Sequence, residues 1–143
     1  MNEHSRSARS PRWIAVGVVS ALVTDAAIGS RAPRHRLLLH SVGLVTAAAI
    51  YPALHSEGRA DPAERLREVI GVAACAIVAR RAAHSRGGSR LLAGGWAAHA
   101  LFDAMHHRSE SSLLPDWYPA ACAGYDLAIA ASLAVPDRAR QKA

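Results

Sequence analysis

At 143 residues the chain is one domain's worth, and a 51% hydrophobic content against 20% charged leaves it a core or a membrane to fill. Its net charge of +6 comes mostly from arginines lying between apolar runs. There is no basic helix face with aromatic platforms and no groove-reading motif, so a nucleic-acid partner is excluded. Cys75 and Cys122 both sit inside apolar runs and form neither a zinc motif nor a disulfide framework; they read as small buried hydrophobes.

In chain order, residues 1–11 (MNEHSRSARSP) are polar and expected to be disordered, with Pro11 as a stop before the first apolar run. Five apolar segments follow: 13–29, 37–54, 66–84, 91–107 and 117–135. Residues 136–143 form a basic tail. Segment length, richness in Ala and Leu and the absence of alternation predict helices rather than strands. Runs such as IAVGVV, VGLVTAAAIY and VIGVAACAIVA are apolar all round, as membrane helices are and surface helices of a soluble bundle are not. The mean hydropathy of +0.08 hides a partition between arginine-rich connectors and apolar segments. The fold class expected is therefore all-α, a polytopic transmembrane bundle of about five spans. Each span is short for about 30 Å of hydrocarbon. The arginines before Trp13 and the apolar run after them also imitate a signal peptide, but four further segments favour a first membrane helix.

Five spans place Arg31, Arg34, Arg36, Arg80, Arg81, Arg86, Arg90, Arg138, Arg140 and Lys142 on one side. The other side holds the remaining basic residues together with Glu57, Asp61, Glu64, Glu68, Glu110 and Asp116. The positive-inside rule then predicts a cell-membrane protein with its N-terminus outside and its C-terminus in the cytoplasm, although the arginines before Trp13 point the other way.

The segment HALFDAMHH, residues 99–107, places three histidines and an aspartate on one helix stripe, because steps of four, seven and eight residues return to nearly the same face. An aspartate at bilayer depth costs roughly 3 kcal/mol, so Asp103 and Asp126 should face inward toward donors, a cation or a metal. His99, Asp103 and His106 offer nitrogen, oxygen and nitrogen on one face, a ligand set used by zinc and non-haem iron, which Asp126 or His55 could complete. With a metal bound, Glu68 or Asp126 is the candidate general base, and the substrate at such a depth is a lipid ester, amide or ether. Two other readings stay open, so the residues do not decide whether the chain is an enzyme. One is a proton or cation path through Asp103, Asp126, His99 and Glu68, which in a chain without an inverted repeat calls for a homo-oligomer. The other is a polar clamp between helices. The expected partners are the lipid bilayer and a lipid or small-molecule substrate. Asp25 and His40 fall toward the opposite leaflet, Asp25 pairing near its helix end and His40 meeting headgroups. Trp96, Trp117 and Tyr118 read as belt or packing aromatics.

The run W-x2-H-A-L-F-D-A-M-H-H, followed by P-D-W-Y-P-A-A-C-A-G-Y-D, spans residues 96–126 and resembles a family of small, functionally uncharacterised bacterial integral-membrane proteins. Such proteins share an H-x3-D-x2-H span and a following W-Y-P and Y/F-D segment. The resemblance covers about a quarter of the chain. It implies a membrane location and a single unit made of His99, Asp103, His106, Trp117, Pro119 and Asp126, and it implies no activity. A looser likeness is to multispan lipid hydrolases of the alkaline ceramidase type. The chain departs from them in having five expected spans rather than seven and no serine beside the stripe. It also lacks the several histidine boxes of membrane desaturases.

Overall fold

The computed structural model describes residues 11–54, 61–106 and 114–135, and among these every regular element is helical. The polar N-tail and the basic C-tail expected from the sequence lie outside the described residues, except that Pro11 opens the first helix instead of stopping the chain before it. Proline suits that position, because the first amide of a helix has no intrahelical partner to lose.

Helix α1 spans Pro11–Arg31 and ends on a cation that complements the helix dipole. A 3-10 turn, Pro33–His35, leads straight into α2, Arg36–Ala53. Helix α3, Pro62–Ala83, begins before the apolar run, because Asp61 accepts a hydrogen bond from the Ala63 amide at 3.2 Å and Pro62 follows it. Glu64 in its first turn and Arg80 and Arg81 in its last also match the dipole. Helix α4 is Gly88–His106 and α5 is Tyr118–Ala134.

Residue pairings across the seams give the directions. Trp13 meets Trp117 and Asp25 meets Ser132, so α1 and α5 run parallel. Ser89 bonds the Leu133 carbonyl and Trp96 meets Tyr125, so α4 opposes α5. Gly43 faces Trp96 while Tyr51 faces Phe102, so α2 runs with α4; Gly71 faces Phe102 while Gly95 faces Val78, so α3 opposes α4. Successive helices therefore alternate in direction, with α5 packed on α1 and α4, and α2 on α3.

The α1/α5 seam is the tightest. A β-carbon on Gly17 would collide with the Ala121 carbonyl oxygen and stand 2.7 Å from the Tyr125 amide nitrogen, and one on Gly124 would strike the Ile14 carbonyl. Glycine at both positions lets the two backbones touch.

Buried polar residues stand beside exposed apolar ones. Leu44, Leu92, Trp96, Ile129 and Leu133 form an apolar core, yet His40, Glu68, His99, Asp103 and Asp126 are buried with them. Val19, Leu22, Val23, Leu66, Ile77 and Leu101 are meanwhile more than half exposed. Two helices, Pro11–Arg31 and Pro33–Ala53, are long and apolar enough to cross a membrane, at 21 residues each. Only 11% and 28% of their apolar windows are buried, whereas the core helix of a soluble protein is mostly buried.

Candidate functional site

His99 lies on the inner face of α4, one turn before Asp103, and Asp126 faces both from α5. All three are buried, Asp103 completely. His99 Nδ1 stands 2.7 Å from Asp126 Oδ2 and 3.7 Å from Asp103 Oδ2. Facing a carboxylate at that distance, Nδ1 carries the proton and donates it, which leaves a lone pair on Nε2. That Nε2 is buried and has no hydrogen-bond partner among the described residues, and the same holds for both carboxylate oxygens of Asp103. Orphaned polar atoms of this kind are uncommon in native interiors and need a reason.

One ligand atom from each of His99, Asp103 and Asp126 can be chosen so that all lie within 4.8 Å of one another. Tetrahedral ligands about 2.1 Å from a metal stand roughly 3.4 Å apart, so the cluster needs to contract by about an ångström or so to ligate. One imidazole and two carboxylates suit zinc, iron(II) or manganese.

A cavity of about 140 Å³ adjoins the cluster, lined mainly by apolar groups of α2, α3 and α4. His99 and Glu68 both reach its wall, and Glu68 is only 2% exposed. At its mouth stand Ala74 and Ala98, exposed on the outer faces of α3 and α4, so the cavity opens sideways between these helices. Tyr51 closes the cluster from α2, its ring 6.5 Å from the His99 imidazole and edge-on to Phe102 at 5.6 Å.

The Asp103 end of the bundle also carries an aromatic group at its rim: Trp13 stacks on Trp117 at 5.0 Å, with the Arg12 guanidinium 5.1 Å from the Trp13 ring. Trp117 is exposed at the end of the bundle, while Trp96 is buried and packs in the core.

A second polar cluster occupies the opposite end. Asp25 receives Arg36 at 2.7 Å and His40 Nε2 at 2.9 Å, and it also accepts from the Ser132 hydroxyl. Arg36 Nη2 in turn donates to Ser132 Oγ at 2.9 Å. Asp25 thus pairs near its helix end, as the sequence suggests. His40 does not meet headgroups: it is buried, because the antiparallel α1/α2 turn brings it onto Asp25.

Of the site residues expected from the sequence, His99, Asp103 and Asp126 come together, and Glu68 reaches the adjoining cavity. His55, Glu57 and His107 lie outside the described residues, as does the side chain of His106. Cys75 is partly rather than fully buried, lining the cavity beside Glu68. Tyr51, Arg36 and Ser132 were not singled out by the sequence. Tyr51 could have been found as an aromatic entering the same end of the bundle as the histidine stripe, whereas nothing local marks Ser132, which lies 107 positions from Asp25. Comparisons with protein-family models, curated proteins and solved structures find no match, so the functional reading rests on the geometry of the chain itself.

Proposed function

We propose that the chain is a small multi-pass membrane protein whose His99/Asp103/Asp126 cluster holds a divalent metal, zinc or iron, for hydrolytic chemistry on a lipid ester or amide. The observation that carries the reading is the pair of buried carboxylates matched by one imidazole, with His99 Nε2 and the Asp103 oxygens left without hydrogen bonds among the described residues. Burying charge without compensation is expensive, and a cation removes the imbalance. Membrane placement is supported by the exposed apolar side chains, by the polar groups buried within the apolar core, and by the cation-rich end at Arg31, Arg34, Arg80, Arg81, Arg86 and Arg90. That end faces the cytoplasm by the positive-inside rule.

A metal held there would polarise a carbonyl and activate water. Within the chain, Glu68 lines the cavity as the base for the proton of that water, and the apolar walls take the alkyl part of the substrate. The sideways mouth at Ala74 and Ala98 faces where acyl chains lie, which favours a substrate delivered from the bilayer.

A proton path is less well supported. Between the two polar clusters lie Leu92, Ala93 and Trp96 on α4 and Ile129 and Ala130 on α5, all buried and apolar. The six-residue step along α5 from Asp126 to Ser132 covers about 9 Å and carries only apolar side chains, and the Tyr125 hydroxyl, bonded to Thr24, bridges only part of that gap.

The test uses the full chain in lipid nanodiscs loaded with zinc or iron(II) and supplied with a mixed lipid extract, with released fatty acid measured by mass spectrometry. Metal-dependent release that is lost in Glu68→Gln and Asp103→Asn is expected. Release that is absent, or indifferent to chelator and to both substitutions, would refute hydrolysis.

A further inference from the structure

The largest recess among those described lies at the arginine-rich end and is separate from the metal cluster. It encloses about 670 Å³ where the α1/α2 turn meets the α3/α4 turn. Three arginines line it: Arg34 from the first turn, Arg36 at the start of α2, and Arg86 from the second turn. Asp25 is the acidic group in its wall, and it is already engaged by Arg36. That leaves Arg34 and Arg86, on opposite turns, as the other cationic residues of the lining, with no carboxylate but Asp25 in it among the described residues. Ser85 adds a hydroxyl beside Arg86.

Guanidinium groups converging on a recess suit a phosphate ester, because the planar fork donates two parallel hydrogen bonds to a pair of phosphate oxygens. Depth selects the source. Arg36 is the first residue of α2 and Arg86 falls between α3 and α4, so both stand at helix ends, the level of headgroups in a bilayer. Basic pockets between helix ends on the cytoplasmic side bind anionic headgroups in this way.

We infer that the cleft formed by Arg34, Arg36 and Arg86 binds an anionic phosphate group, supplied in the membrane by the headgroup of an anionic phospholipid. The lipid would bridge the two turns and tie α1 and α2 to α3 and α4 at the end where the clamp on Asp25 also sits. This inference rests on the proposed membrane placement but not on the metal or on hydrolysis.

The test is native mass spectrometry of the full-length chain in detergent micelles, titrated separately with phosphatidylglycerol, phosphatidylcholine and inorganic phosphate. A preferred single adduct with phosphatidylglycerol is expected. The double substitution Arg34→Gln/Arg86→Gln should weaken it about thirtyfold. Arg80→Gln/Arg81→Gln removes the same charge at the same end but outside the cleft, and should change binding by no more than about threefold. All four arginines are exposed, so neither pair leaves a cavity in the core when replaced. Inorganic phosphate that displaces the lipid and is itself lost in the cleft variant would support the phosphate site while assigning it to a soluble ester. Equal weakening by both pairs would overturn the site in favour of diffuse charge. No preference for phosphatidylglycerol over phosphatidylcholine, together with no phosphate binding, would overturn it outright. A chain that stays in solution without detergent would overturn the headgroup as source, and the phosphate titration would then decide the site separately.

Discussion

The two polar clusters use similar residues and differ in how they are balanced. At the Asp25 end one carboxylate receives a guanidinium, an imidazole and a hydroxyl, and the serine that donates to it also accepts from the arginine. At the Asp103 end two carboxylates share one imidazole, His99 Nδ1 reaching Asp103 only at 3.7 Å, and three buried atoms lack a hydrogen bond among the described residues. A satisfied network holds helices together, whereas an unsatisfied one is costly unless something else occupies it. The first cluster is a clamp joining α1, α2 and α5, and the second, on α4 and α5, is the one proposed to hold a metal. Such a site is maintained at the expense of stability.

Substitutions can break or sharpen that contrast, and the largest effect lies in the seam that supports the clamp. Gly124→Val should destabilise the bundle by about 4 kcal/mol, because its side chain meets the Ile14 backbone, whereas Gly29→Val should be nearly silent since its β-carbon would meet nothing within 4 Å. Thermal unfolding in detergent compares the two, and similar melting points would contradict the α1/α5 contact.

Next in size is the clamp itself. Asp25→Ala strands Arg36 and His40 together and should cost about 3 kcal/mol, read as a lowered melting temperature. A variant as stable as the natural chain would show that the Asp25 network holds nothing.

Metal addition should act only at the other end. With zinc or iron(II) at a hundredfold excess over its dissociation constant, stabilisation of about 2.7 kcal/mol is expected. Asp25→Asn should keep that response and His99→Ala should lose it. A shift of equal size in both variants would point to adventitious binding.

The smallest effect has the most telling sign. Without metal, Asp103→Asn should leave stability unchanged or raise it by under about 1 kcal/mol, because it removes a buried carboxylate that lacks hydrogen bonds. A large loss would make Asp103 part of a clamp like that of Asp25.

The helical architecture was legible because arginines and prolines punctuate the apolar runs; each expected segment is helical in the described residues. The start of α3 was not, since its first turn is polar and held by Asp61, so hydropathy alone begins the helix too late. The cluster was legible along α4, where His99 and Asp103 lie one turn apart, and less so across helices. Asp126 could be assigned to the same half of the bundle, but not its 2.7 Å contact with His99. The clamp was the least legible part. Its members are single residues from three helices, and Arg36 reads in sequence as one more cation in a connector, its role fixed only when α2 folds back on α1.

The most direct measurement is the metal content of the full-length chain purified in detergent, compared with its His99→Ala, Asp103→Asn and Asp25→Asn variants at equal yield. Stoichiometric zinc or iron in the natural chain and in Asp25→Asn, lost from His99→Ala and Asp103→Asn, is the expected result. Folded natural protein that takes up no divalent metal, or a loss shared equally by all three variants, would contradict the assignment of His99, Asp103 and Asp126 as a metal site.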